Sequence, residues 1–213
     1  MTDFATLLKT EIAKGLPGTE VQWQMASSDR FVRNFPRVPG DDARIAAVLI
    51  LLYPDNRSIH TVFMQRPDYD GVHGGQISFP GGKKEPDDED VIRTALREAN
   101  EETGVNPDEI NLIGTMTPLY IPVSKMVVTP VIGWIEKKPV FNYQPAEVEF
   151  LIEADLKKLL DPSIVKTKPF EIRGELIEVK YYDYDGNTIW GATAMILNEL
   201  LVVLRRGGFF LPE

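Results

Sequence analysis

SFPGGKKEPDDEDVIRTALREANEETGV, residues 78–105, joins a glycine turn to a segment with eight acids and two arginines between Glu85 and Glu102. Ile92, Ala95, Leu96 and Ala99 recur at helical spacing, with Val91 off that stripe. Asp88 or Asp90 is placed to cap the first turn, and Gly104 stands where a helix ends in a left-handed residue. On a 3.6-residue period Glu98 and Glu102 stack one turn apart with Glu101 beside them, while the alanines and leucine face a core. This arrangement opposes folding. Like charges at i, i+4 cost roughly 0.2–0.5 kcal/mol, and acids in the last turn oppose the helix dipole by roughly 0.3–1 kcal/mol each. Arg97, four residues before Glu101, offsets part of this. A solvated acidic face is the plainest reading of a charge run. The sharper one is a hard divalent cation such as Mg²⁺, which prefers carboxylate oxygens, keeps several waters and completes its shell with substrate phosphates.

Arg97-Glu98-Ala99-Asn100-Glu101-Glu102-Thr103-Gly104-Val105 resembles the second half of the Nudix box, R-E-U-x-E-E-x-G-U with U aliphatic or small. The box places a glycine six positions before an acid and fourteen before the arginine. Here Glu89 keeps the acid-to-arginine spacing and Lys83 occupies the glycine position, so a one-residue expansion of the loop after Gly82 is expected. Upstream, Val62-Phe63-Met64-Gln65-Arg66-Pro67, then Gly75, then Phe79-Pro80-Gly81-Gly82 resembles the pattern L-L-T-x-R-[SA]-x3-R-x3-G-x3-F-P-G-G of the coenzyme A pyrophosphatase subfamily. Arg66, Gly75 and the FPGG run align. Met64, Pro67 and Gly71 depart from it, Gly71 replacing the second arginine.

The resemblance implies a Nudix-type α/β/α sandwich, an α/β (α+β) fold with a mixed β-sheet. It implies metal-dependent hydrolysis of a pyrophosphate bond, with coenzyme A or its derivatives giving 3′,5′-ADP and 4′-phosphopantetheine. It assigns Glu98, Glu101 and Glu102 as Mg²⁺ or Mn²⁺ ligands, with Glu89 as a supporting or additional ligand. Arg97 becomes the partner that fixes a glutamate rotamer. Arg66, Gly75, Phe79, Gly81 and Gly82 fall to the substrate side, the two adjacent glycines letting the loop approach closely. Glu147, in an E-V context, is a further metal ligand or the base, the alternative base being a box glutamate. Hydrolysis of ADP-ribose or another nucleoside diphosphate sugar is the first alternative. A non-catalytic nucleotide-binding regulatory domain is the second, and three retained, mutually repelling glutamates argue against it.

The 213 residues, 43% of them hydrophobic, suffice for one domain, with residues 1–43 as a helical extension and 44–206 as the core. The absence of cysteine excludes disulfides, thiolate metal sites and thiol nucleophiles. A net charge of −9 disfavours binding a nucleic-acid backbone, whereas a metal and a few local basic residues suffice for small phosphorylated substrates. No apolar run reaches membrane-spanning length and no signal peptide is visible, so a cytoplasmic enzyme without nucleic-acid or membrane partners is expected. Monomer and homodimer stay open.

In chain order, residues 2–14 read as an amphipathic helix ended by Gly15-Leu16-Pro17-Gly18. Residues 21–42 read as an extended connection, with Arg30, Arg33 and Arg37 as surface charges or, alternatively, as contacts to a phosphate. Residues 44–53 and 59–65 form a hairpin through Pro54-Asp55-Asn56. Gly71, Gly74 and Gly75 permit tight turns before FPGG, and His73 and His60 are read as structural. Ile110–Ile121 and Met126–Glu136 read as strands around a tip at Ser124 and Lys125, either a ligand contact or a plain turn. Residues 144–150 carry a strand-edge alternation ahead of a short helix, Ala154–Leu160. Strands at 164–172 and 176–184 and an amphipathic helix at 192–206 close the chain.

Overall fold

The computed structural model describes residues 2–28, 30, 35–67, 75–172 and 174–209. Its spine is β1 (Arg44–Asp55), a run of β-branched and aliphatic residues buried on both faces. Ala46, Ile50 and Leu52 point into one apolar cluster, while Ala47, Leu49, Leu51 and Tyr53 point into another. Period-two alternation thus gives one strand two cores. Ile50, Leu51 and Leu52 are at most 1% exposed, so truncating any of them to alanine costs about 2–5 kcal/mol.

β2 (Ser58–Gln65) returns antiparallel to β1 from Asp55↔Ser58 to Leu52↔Thr61. The turn between them is Asn56-Arg57, both at positive φ, while Pro54 and Asp55 of the expected Pro54-Asp55-Asn56 turn belong to β1. β7 (Met126–Trp134) runs parallel to β1 on its other side, from Arg44↔Met126 to Leu52↔Trp134. The short strands β3 (Ile77–Ser78) and β4 (Gly81–Lys83) pair with β2 and β1 respectively. With β5 (Asn111–Thr115), β6 (Leu119–Ile121) and β8 (Phe150–Asp155) they complete a mixed eight-stranded sheet. A separate sheet has the order β11 (Asn187–Ile189), β10 (Glu175–Tyr184), β9 (Val165–Ile172).

Helices cover both faces of the large sheet. α3 (Val91–Thr103) lays Ala95, Leu96 and Ala99 on one cluster; α1 (Thr2–Ala13) and α5 (Gly191–Arg206) pack on the other through Leu8, Ile196, Leu197 and Leu200. This is the expected α/β/α arrangement. α5 departs from the amphipathic expectation, being buried from Thr193 through Leu201. The short α2 (Thr19–Trp23) covers the side that periodicity assigned to solvent. There Gly18 N (2.9 Å), Gln22 Nε2 (2.9 Å) and Thr117 Oγ1 (2.6 Å) all donate to the buried Glu199 carboxylate, which satisfies a charge that burial would otherwise penalise heavily.

At three other places the chain departs from its local sequence pattern. The strand expected over Ile110–Ile121 is broken at Met116-Thr117-Pro118, and β5 is further irregular between Leu112 and Gly114; Pro118 has no N–H to give a ladder. The helix expected from Ala154 begins only at Leu156, as α4 (Leu156–Leu159). Residues 150–155 are drawn into β8 by pairing with β2, Thr61 opposite Ala154, and 145–147 form a turn in place of a strand edge. No helix among the described residues is long and apolar enough to cross a membrane.

Candidate active site

α3 begins at Asp90, whose carboxylate accepts from the Ile92 and Arg93 N–H groups, both at 2.9 Å. It ends at Gly104, left-handed at φ 71°. Capping at both ends offsets the cost of its acidic edge. In front of that edge lies β4, and its two glycines are there for space. A Cβ on Gly81, at φ 152°, would stand 2.3 Å from the Ala47 carbonyl oxygen; one on Gly82 would stand 2.4 Å from the Glu98 carboxyl group. Without side chains, β4 fits between β1 and the glutamates of α3.

Glu102 is 3% exposed. Its Oε2 accepts from Gly81 N at 2.7 Å, and Arg66 Nη2 lies 3.3 Å from its Oε1. Arg66 also donates to Gly81 O at 2.9 Å, tying β2, β4 and α3 together. Burial pushes the Glu102 carboxyl up to about 7, against the lowering effect of Arg66 and the Gly81 N–H; the charges of Glu98 and Glu147 raise it further. Glu98, half-buried one turn earlier, is also raised, first by burial and then by Glu101, against the pull of Arg97.

Arg97 is held mainly by an acid that sequence spacing did not select. Its Nε and Nη2 donate to Asp88 at 3.0 and 2.9 Å, Nη2 also donates to Lys83 O, and Nη1 meets Glu98 and Glu101, each at 3.1 Å. Asp88 is buried and accepts further bonds from Thr94 Oγ1 and Glu85 N. The Arg97 guanidinium holds its carboxyl well below the usual carboxylate range. Asp88 lies six residues after Gly82, so the glycine-to-acid spacing of the box is intact. Counted from Asp88, the extra residue falls between that acid and Arg97. Glu89, at the spacing-selected position, is exposed, with no hydrogen bond or ion pair among the described residues.

Arg66, Gly81, Gly82, Glu98 and Glu102 share one cleft of about 1120 Å³. Glu101 sits on the exposed side of α3, its side chain half exposed. Glu147 is exposed on the 145–147 turn, within electrostatic reach of Glu102. Phe79 reaches the cleft wall but is 1% exposed and packs on Phe63 with ring centroids 4.6 Å apart. Gly75 is exposed outside the cleft lining; its N–H donates to Pro67 O. At the expected tip, Pro122 and Val123 line the cleft, while Lys125 pairs with Asp42. Arg30 lines the cleft, and Arg37 pairs with Glu20 and lies over the Trp23 ring. His60 stacks on Tyr53 away from the cleft lining. Arg33, Gly71, His73 and Gly74 lie outside the described residues.

Among the described residues no three acids or histidines already converge as a metal cage, because Glu98 and Glu101 turn to Arg97 and Glu102 to Gly81 and Arg66. The donor set nonetheless suits a hard cation. Two partly desolvated carboxylates stand one turn apart on one cleft wall, both raised by burial and Glu102 also by the charge of Glu98, and a divalent ion would supply the missing counter-charge.

Residues 43–185 match the family model described as NUDIX domain. The chain is 33% identical over 185 residues to the Photorhabdus laumondii protein named uncharacterized Nudix hydrolase NudL, covering 83% of this chain and 97% of that protein. It is 36% identical over 159 residues to Nudix hydrolase 15, mitochondrial, of Arabidopsis thaliana, covering 71% of this chain and 55% of that protein. The chain thus spans little more than half of the Arabidopsis relative. Among solved structures, the Nudix hydrolase RenU of M. Smegmatis superposes with a TM-score of 0.55 at 16% identity, covering 76% of this chain and 86% of that one. The chain belongs to the Nudix family.

Proposed function

We propose that this chain hydrolyses the pyrophosphate bond of a nucleoside diphosphate derivative, coenzyme A or one of its derivatives being the first substrate. The observation that carries the reading is the placement of Glu98 and Glu102 in one cleft with Arg66 and the glycine strand β4. Glu98 and Glu102 would hold Mg²⁺ or Mn²⁺, with Glu101 completing the set from the rim. When bound, such an ion neutralises phosphate oxygens and lowers the pKa of a water. Arg97, fixed by Asp88, sets the rotamers of Glu98 and Glu101. Arg66 brings positive charge to the same wall, where a diphosphate needs it. Glu147 or a box glutamate takes the proton of the attacking water. Support for coenzyme A comes from the Arg66 and FPGG spacing, and from a cleft too large for two phosphates alone.

The test presents purified protein and Mg²⁺ or Mn²⁺ with coenzyme A, ADP-ribose, NADH, diadenosine polyphosphates and nucleoside triphosphates, with products separated by chromatography. Coenzyme A is expected to give 3′,5′-ADP and 4′-phosphopantetheine at the highest kcat/KM, and chelation should abolish it. Preference for another member rejects coenzyme A, and nucleotide binding without any turnover rejects catalysis. A second expectation concerns Asp88. Asp88→Asn keeps the side-chain shape but removes the charge that holds Arg97, so kcat should fall about 10–100-fold with circular dichroism unchanged. Wild-type kcat in that variant would reduce Asp88 to a loop contact.

A further inference from the structure

The cleft extends beyond the acids and the glycine strand. Its other wall is carbon-rich and comes from elements outside the box: Phe170 of β9, Ile177 of β10, Trp190 ahead of α5, and Ala192 and Ile196 on α5, with Met126 across from the large sheet. Phe170 and Trp190 are half-buried and stack with centroids 5.0 Å apart and planes 26° apart. Phe170 is further held by the Lys168 ammonium, 4.9 Å from its centroid, and by edge contact with Tyr181 at 6.4 Å. Rings braced in this way lose little entropy on taking a ligand. The volume, about 1120 Å³, matches a large organic molecule better than a diphosphate.

We infer that the small sheet β9–β10–β11 and the start of α5 form the specificity subsite, in which Phe170 and Trp190 seat a carbon-rich group attached to the pyrophosphate held at the box. The inference rests on the pyrophosphohydrolase reading. Two parts of a substrate carry that chemistry, a purine ring and a thioester-linked acyl tail. Phe170 and Trp190 act as specificity residues and take no part in the bond cleavage.

The experiment measures affinity by calorimetry with metal chelated, and kcat and KM with Mg²⁺, for coenzyme A, octanoyl-coenzyme A and ADP-ribose. Phe170→Ala and Trp190→Ala are expected to weaken binding and raise KM at least tenfold, with kcat within twofold of wild type. Trp190→Phe should keep most of the affinity. Ala192→Phe, which fills the subsite without leaving a cavity, should weaken binding as well. An equal loss for all three ligands supports the subsite and assigns it to the purine, whereas a loss confined to octanoyl-coenzyme A supports it and assigns it to the acyl tail. Unchanged affinity for all three ligands in folded Phe170→Ala, Trp190→Ala and Ala192→Phe proteins overturns the inference. A fall in kcat with KM and affinity unchanged overturns it too. Failure of the hydrolase reading appears separately, as wild-type protein that binds these ligands and cleaves none.

Discussion

Glu102→Gln is expected to retain the fold and lose at least about 10²-fold in kcat, the scale of removing a principal electrostatic or acid–base group. The substitution is nearly isosteric. Its amide oxygen can still accept from Gly81 N, which now binds Glu102 Oε2 at 2.7 Å, so the junction of β4 and α3 should survive. The charge does not survive. Arg66, 3.3 Å from Glu102 Oε1, loses its anionic partner, and the carboxylate pair formed with Glu98 is reduced to one. A melting temperature close to wild type, with turnover down by two orders of magnitude, would separate chemistry from folding. Wild-type turnover in Glu102→Gln would exclude Glu102 from the reaction.

Gly81→Ala is expected to lower stability by about 3 kcal/mol or more. The new Cβ would meet the Ala47 carbonyl oxygen at 2.3 Å and the Val48 Cα at 2.6 Å, both backbone atoms of β1 that no rotamer change can move. Overpacking of this kind typically costs about 1–3 kcal/mol, and a side chain at φ 152° adds strain of similar order. Relief would require β4 to lift off β1, which would also withdraw the Gly81 N–H from Glu102 and the Gly81 carbonyl from Arg66. Denaturant unfolding should therefore show a lower midpoint, together with lower activity in the fraction that stays folded. At Gly82 the neighbour is the movable end of Glu98, so Gly82→Ala should disturb the site more than the fold. Equal stability of Gly81→Ala and wild type would show that β1 and β4 tolerate separation.

What the sequence discloses follows from how local the cause is. The helix of residues 91–103 is written in its own periodicity, in Asp90 and in Gly104, and the two-faced burial of β1 is written in its unbroken apolar run. Asp88 could not be told from Glu89 by spacing, because its burial and its grip on Arg97 depend on where β4 places the loop. β4 itself is a Gly-Gly-Lys strand with no strand propensity, and it exists because β1 offers a ladder. The helix expected from Ala154 starts only at Leu156 because pairing of β8 with β2 overrides the local preference of residues 154 and 155. Phe170 and Trp190 carry no motif. They lie twenty residues apart, and only the cleft joins them to the glutamates.

A cation site on the acidic edge of α3, beside a bound pyrophosphate, makes a binding prediction of its own. Titrating Mn²⁺ into the protein and following the free-ion signal by electron paramagnetic resonance tests it without relying on turnover. Wild-type protein is expected to deplete the free Mn²⁺ signal, and Glu98→Gln and Glu102→Gln should each weaken that binding at least tenfold while remaining folded. Equal Mn²⁺ affinity in wild type and both variants would contradict it.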